Sequence, residues 1–177
     1  MSARSTAVMT AVDERAGVAP RVRAALRAAT RADAPALHAL VHAHQAEGHL
    51  LPRGLDELTA RAPRFLLAER DGRLVACAEL APLGQGTAEV RSLVVDRQAR
   101  DEGLGRQLVT ALERRARLDG YARLCAFTHE PGYFVRLGFS IVPHTWVPEK
   151  IATDCHGCPL FRSCGQHAVM LPIVARA

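Results

Sequence analysis

Residues 87–120 read TAEVRSLVVDRQARDEGLGRQLVTALERRARLDG, and two different periods meet inside them. TAEVRSLVV is short, rich in β-branched residues and free of Gly and Pro, which predicts a strand. From Leu104 onward the apolar residues Leu104, Leu108, Ala111, Leu112 and Ala116 recur at helical spacing, and Gly120 supplies a stop. The join between them is Arg100-Asp101-Glu102-Gly103-Leu104-Gly105, an R-x-x-G-x-G turn. Glycines there let backbone N–H groups approach a ligand closely, and a helix that starts at the turn presents its positive end. The stretch therefore predicts an anion site suited to phosphate. It is not a Walker loop, because the Gly-Lys-Ser/Thr triplet is missing. It is not a dinucleotide fingerprint either, because the glycine spacing fails and the preceding strands are joined by hairpins.

Upstream, LRAAT predicts a strand, and Asp33 is placed to cap a helix carrying Leu37, Leu40 and Val41, with Pro35 in its first turn. Gly48 and Pro52 break that helix, and GHLLPRGLDEL starts a short second one. RFLLAER and RLVACAEL flank Asp71-Gly72, a strong hairpin signal. A second turn at Gly84-Gln85-Gly86 leads into residue 87, giving three antiparallel strands in succession. Downstream, LCAFT predicts a strand, PGYFVRL a short helix ended by Gly138, and FSIVP and HAVMLPIV two further strands. The expectation is one α/β domain over residues 23–177, a mixed, mostly antiparallel sheet flanked by helices. Residues 1–22 are read as a flexible tail and residues 148–166 as an irregular Cys-rich loop.

Composition narrows the function classes. The chain has 177 residues, 49% apolar and 23% charged, enough to bury the core of one domain. Nothing approaches the run of about 18 apolar residues that a membrane span needs. The N-terminus is a poor secretory signal, so a cytoplasmic location without a membrane partner is expected. The net charge is +5, yet Lys150 is the single lysine and the arginines are scattered without interleaved aromatics. That excludes a nucleic-acid surface and leaves a small anionic ligand.

Strand, R-x-x-G-x-G, amphipathic helix, strand and then YFVRLGF, in that order, resemble the GNAT acetyltransferase superfamily over roughly residues 24–174. The resemblance implies acetyl-CoA as co-substrate. It places Leu93, Val94 and Val95 of a splayed strand along the pantetheine arm. It wraps Arg100, Asp101, Glu102, Gly103, Leu104, Gly105 and Arg106 around the pyrophosphate.

Four blocks sharpen it: GHLLPRGLDEL, AEVRSLVV, AFTHEPGYFVRLGF and PEKIATDCHGCPLFRSCGQHAVM. In that order they resemble the short, stand-alone bacterial N-acetylglutamate synthases. That implies transfer of acetyl to the α-amine of L-glutamate, the first step of arginine biosynthesis, with small-molecule substrates and a homodimer as candidate assembly. Amine acetylation needs the ammonium to lose a proton. Glu89, a carboxylate in mid-strand, is the candidate base, and Arg91 projects from the same strand face. A dicarboxylate acceptor needs cations. Arg91 and Lys150 are candidates, and Arg53 matches the family's substrate arginine. Many GNAT enzymes carry an acidic Tyr four residues before the Gly of the Gly-Phe pair; here Phe134 stands there and Tyr133 is one residue off. The resemblance instead points to the hydroxyl of Thr128. His129 is a candidate pocket residue.

Two of the five cysteines, Cys77 and Cys125, sit in apolar runs and read as buried thiols. Cys155, Cys158, Cys164 and His167 have a spacing compatible with one Zn²⁺, three packed thiols and a redox-sensitive pair being the alternatives. The functional rivals are a GNAT enzyme for another amine, a non-catalytic acyl-CoA or metal sensor, and a zinc-dependent interaction module.

Overall fold

A computed structural model describes residues 24–48, 50–84 and 86–173. The expected tail over 1–22 lies outside the described residues, as do Gln85 of the second turn and Val174 at the end of the last predicted strand. The strands are β1 (Ala25–Ala28), β2 (Phe65–Arg70), β3 (Arg73–Gly84), β4 (Thr87–Val95), β5 (Arg123–Thr128), β6 (Ser140–Val142) and β7 (His167–Pro172). They form one sheet in the order β1-β2-β3-β4-β5-β7-β6. Every neighbouring pair is antiparallel except β4 and β5. Asp71 and Gly72 turn between β2 and β3 with φ of 50° and 72°, the primed geometry that matches the twist of a two-residue hairpin.

The sheet opens at β4. It pairs with β5 only from Thr87↔Arg123 to Glu89↔Cys125, so beyond Glu89 the two parallel strands part and β4 leaves backbone groups without a ladder partner on that side. On its other edge the register with β3 shifts between Cys77 and Glu79. Ser92 absorbs the shift with φ of 47°, an uncommon conformation for a residue with a Cβ.

The helices are α1 (Ala34–Ala43), α2 (Gln45–Gly48), α3 (Leu55–Arg61), α4 (Leu104–Leu118), α5 (Pro131–Val135) and α6 (Pro148–Lys150). α4 covers one sheet face and buries Leu104, Leu108, Val109, Leu112 and Ala116. Val109 takes the place expected for Ala111, which stays at the margin. Gly120 N–H donates to the Arg117 carbonyl and Tyr121 N–H to that of Ala116, closing a Schellman stop with Gly120 at φ of 82°. α1 and α3 cover the opposite face over Leu37, Leu58, Phe65, Leu67 and Cys77. Asp33 does precede α1, but its carboxylate turns back to the Thr30 N–H at 2.7 Å and to Arg27. The segment after α6 is less irregular than expected. Residues 151–155 wind into a wide turn in which His156 N–H donates to the Ile151 carbonyl at 3.0 Å. Among the described residues no helix is long and apolar enough to cross a membrane.

Candidate active site

Where β4 and β5 part, a cavity of about 1640 Å³ opens across the domain. One end is the glycine turn. Asp101 (φ 63°) and Gly103 (φ 79°) both take left-handed backbone, which turns the chain abruptly into α4. Gly105 is tightly circumscribed: a Cβ there would lie 2.5 Å from the Tyr133 hydroxyl. Leu93, Val94 and Val95 form the adjoining floor, and Arg100, Asp101, Gly103, Leu104, Gly105 and Arg106 line the cavity. Glu102 does not; its carboxylate is bound by Arg70 on the outside of the turn. Arg100 donates through Nε to the Val95 carbonyl at 3.2 Å and through Nη2 to Glu47 at 3.0 Å. Arg100 is thereby tied both to the end of β4 and to α2.

Tyr133 and Phe134 lie edge-on to one another, ring centroids 5.3 Å apart. Phe134 is buried edge-on against Phe139, ring centroids 5.2 Å apart. The Tyr133 hydroxyl faces Gly105, is itself inaccessible, and has no hydrogen-bond partner among the described residues. Burial pushes this phenol up, against the opposing pull of Arg106 and Arg136.

The other end is a cluster of charges on the α1/α3 face of the sheet. Glu89, 3% exposed, accepts from Lys150 Nζ at 2.8 and 3.0 Å and from Arg91 Nε at 2.6 Å. Asp154 in turn accepts from Lys150 Nζ at 2.8 Å and from Arg91 Nη2. Lys150 Nζ also stands 5.0 Å from the centroid of the Phe127 ring, a cation–π distance. Burial lowers Arg91, but Glu89, then Asp154 and Glu79, outweigh it and hold this guanidinium above its ordinary value. Burial raises Asp154, and hydrogen bonding and charge from Lys150 and the charge of Arg91 more than reverse it, leaving it below the usual carboxylate range. Arg53, on the loop before α3, reaches the same cavity and contacts Glu57 at 3.2 Å and Glu79 at 3.0 Å.

Glu89, Arg91, Arg53, Lys150 and Thr128 thus come together in one cavity with the glycine turn, and His129 lines it too. The Thr128 hydroxyl, at the end of β5, accepts the Glu130 backbone N–H at 3.0 Å. Two acids escaped the sequence reading. Glu79 carries the same signal as Glu89, a carboxylate inside an apolar strand, and Asp154 stands beside a cysteine that drew the attention.

The metal expectation is not met. Cys155, Cys158 and Cys164 line the rim of the cavity as free thiols. His167 instead sits in β7, paired across the ladder with Thr128. Among the described residues no three His, Cys, Asp or Glu side chains converge to hold a metal ion. The spacing closes a tight turn (Cys158 N–H to the Cys155 carbonyl, 3.0 Å), but β7 begins before the fourth ligand can fold back.

The sequence profile of the acetyltransferase (GNAT) family matches residues 22–139. An uncharacterized N-acetyltransferase of Chlorobaculum tepidum is 29% identical over 151 residues, covering 85% of this chain and 97% of its own. The amino-acid acetyltransferase of Neisseria meningitidis is 30% identical over 156 residues, which are 87% of this chain. This chain spans only 34% of that relative's length. The N-acetylglutamate synthase of Neisseria gonorrhoeae, solved with coenzyme A and N-acetyl-glutamate, superposes with a TM-score of 0.77 at 27% identity. That likeness covers 85% of this chain and 35% of the synthase chain.

Proposed function

This chain belongs to the GNAT acetyltransferase family, and on that premise we propose that it transfers the acetyl group of acetyl-CoA to the α-amine of L-glutamate. The observation that carries the reading is the Glu89–Arg91–Lys150–Asp154 cluster. It sets a buried carboxylate between two cations in the same cavity as the glycine turn. The likeness to amino-acid acetyltransferases and to an N-acetylglutamate synthase supports it. Such a product would enter arginine biosynthesis.

In the mechanism, backbone N–H groups of residues 100–106 and the start of α4 hold the pyrophosphate, and Leu93 to Val95 lie along the pantetheine arm. Arg53, Arg91 and Lys150 receive the acceptor's carboxylates. Asp154 occupies Arg91 and Lys150 in the absence of acceptor, and an acceptor carboxylate takes its place there. Glu89 accepts the proton of the acceptor ammonium. The freed amine attacks the thioester carbonyl, whose oxygen is held by a backbone N–H of the splayed part of β4 near Leu93. Collapse forms the amide and expels the thiolate, and the second proton of the amine nitrogen passes to the sulfur through the Thr128 hydroxyl, which gives up one proton and receives the other. A thiol of ordinary pKa, about 8.5, asks little of that acid.

The test is thiol release from acetyl-CoA with glutamate, aspartate, glutamine, lysine and spermidine. Turnover strongest with glutamate is expected. Turnover strongest with a different amine overturns the acceptor and leaves the acetyltransferase standing.

A further inference from the structure

Glu79 is fully buried, yet it does not line the cavity and the mechanism gives it no task. It sits on β3 directly opposite Arg91 of β4 on one side and Phe65 of β2 on the other. Residues opposite one another in an antiparallel ladder share a face, so Glu79 lies with Glu89 and Arg91 beneath the acceptor end. Above it Arg53 brings Nη1 to 3.0 Å from Glu79 Oε2, and Arg64 Nη1 stands 3.9 Å from Oε1. Neither carboxylate oxygen has a hydrogen bond in aligned geometry among the described residues, so the hold is through charge.

A carboxylate taken out of water is costly, and a well-packed apolar side chain in its place would often be no less stable. Stability alone therefore gives little reason for an acid at this position. Direction does. Arg53 stands on a loop between two short helices, where nothing in its own backbone fixes the guanidinium. Its contacts to both Glu57 and Glu79 fall on the same nitrogen, Nη1, and Arg53 also lines the cavity. Arg53 keeps 11% side-chain exposure there.

We propose that Glu79 is a positioning residue for the acceptor site, a buried charge under the cavity floor that aims Arg53, and through the strand ladder Arg91, at the acceptor's carboxylate. This rests on the reading that those arginines bind that carboxylate. It makes acceptor affinity depend on a residue that no acceptor touches.

Glu79→Gln keeps the shape and removes the charge. The expected result is a rise of about tenfold in KM for glutamate, with kcat and the KM for acetyl-CoA changed less than about twofold. Glu79→Asp, which keeps the charge at shorter reach, should fall between, and it serves if the Gln variant does not fold. Because Glu79 acts through Arg53, Glu79→Gln should add almost nothing in an Arg53→Ala background. An unchanged KM in a folded Glu79→Gln, or an effect that adds fully to that of Arg53→Ala, overturns the proposal.

Calorimetry with glutarate, a dicarboxylate without an amine, separates this from the function itself. If wild type binds glutarate, and Glu79→Gln binds it about tenfold more weakly, the positioning role stands even where glutamate is not acetylated. If wild type acetylates glutamate while Glu79→Gln matches it in KM and in glutarate affinity, the positioning role falls alone. If wild type neither binds glutarate nor acetylates glutamate, both fall.

Discussion

Glu89 and Lys150 are 61 residues apart in the chain and 2.8 Å apart in the fold. The contact joins β4 to the last residue of α6, and both residues line the cavity. With Arg91 Nε at 2.6 Å on the other oxygen, the Glu89 carboxylate is fixed in direction before any substrate arrives. A base held in place loses little entropy in the reaction. Glu89→Gln should preserve this shape while abolishing proton acceptance. The expected loss in kcat is about 10²–10⁴-fold, the usual worth of a positioned base. Coenzyme A affinity, measured by calorimetry, should be unchanged, since Glu89 lies beyond the residues assigned to the cofactor arm. Retention of most of the turnover would remove Glu89 from the chemistry.

On the proposed function, Asp154 competes with the acceptor for Arg91 and Lys150. Its side chain is 36% exposed, so it can swing away into solvent. Asp154→Asn should therefore lower the KM for glutamate, by about three- to tenfold, without altering the KM for acetyl-CoA. Lys150→Gln should raise the glutamate KM by a similar factor, because it removes a cation and not its competitor. If Asp154→Asn instead raises KM, Asp154 holds the cations in place for the acceptor and does not stand in for it. Steady-state kinetics on the two variants decides the matter by sign.

The architecture was legible where the determining chemistry is local. Asp71-Gly72 specifies its hairpin through positive φ, and Gly103 and Gly105 mark the turn into α4 by the side chains they lack. Glu89 showed as a charge in an apolar strand, and period two carried the inference on to Arg91. What stayed hidden depends on register and tertiary closure. Glu79 gains meaning only once β3 is aligned with β4 and Arg53 folds over both. Ser92 takes a left-handed backbone with no glycine to announce it, because the bulge sets Ser92 and Leu93 of β4 against Ala78 alone of β3. The wide turn after α6 is shaped around Asp154, whose partners are Lys150 nearby and Arg91 on a distant strand. The cysteine spacing misled for the same reason: C-x2-C fixes one tight turn, whereas a metal site requires the second pair to return, and His167 is committed to β7.

Gly105 should be intolerant of a side chain, for a reason that can be relieved. A Cβ at that position meets the Tyr133 hydroxyl at 2.5 Å and the Val95 side chain at 3.8 Å, so the first contact is a collision and the second is not. Gly105→Ala is expected to raise the KM for acetyl-CoA about tenfold and to leave the KM for glutamate alone, since it disturbs the start of α4 and the anion turn. Tyr133→Phe removes the colliding oxygen and should restore most of the affinity in the double variant. Tyr133→Phe by itself leaves no buried hydroxyl without a partner, so it should not destabilise the fold. A double variant no better than Gly105→Ala would place the cause in the glycine backbone and not in the tyrosine.

Acid should loosen the entry to α1. Asp33 accepts from Arg27 at 2.6 and 2.9 Å and from the Thr30 N–H at 2.7 Å, while the same arginine binds Glu69 on β2 at 3.0 Å. The helix start is thus tied to the sheet edge through one guanidinium. Hydrogen bonds from Arg27, then from Thr30, hold the Asp33 carboxyl well below the usual carboxylate range. A depressed pKa in the folded state means that the stabilisation is complete above the unfolded value of about 3.9 and is lost as pH falls below it. Asp33→Asn should cost about 1 kcal/mol at pH 7, the order of a partly exposed charge-assisted hydrogen bond. In thermal melts that is a drop of about 2–4 °C for a domain of this size. The gap between wild type and variant should hold down to about pH 5 and close steadily below pH 4, as protonation removes from wild type what the substitution already removed. A gap as wide at pH 2 as at pH 7 would show that Asp33 contributes by shape and not by charge.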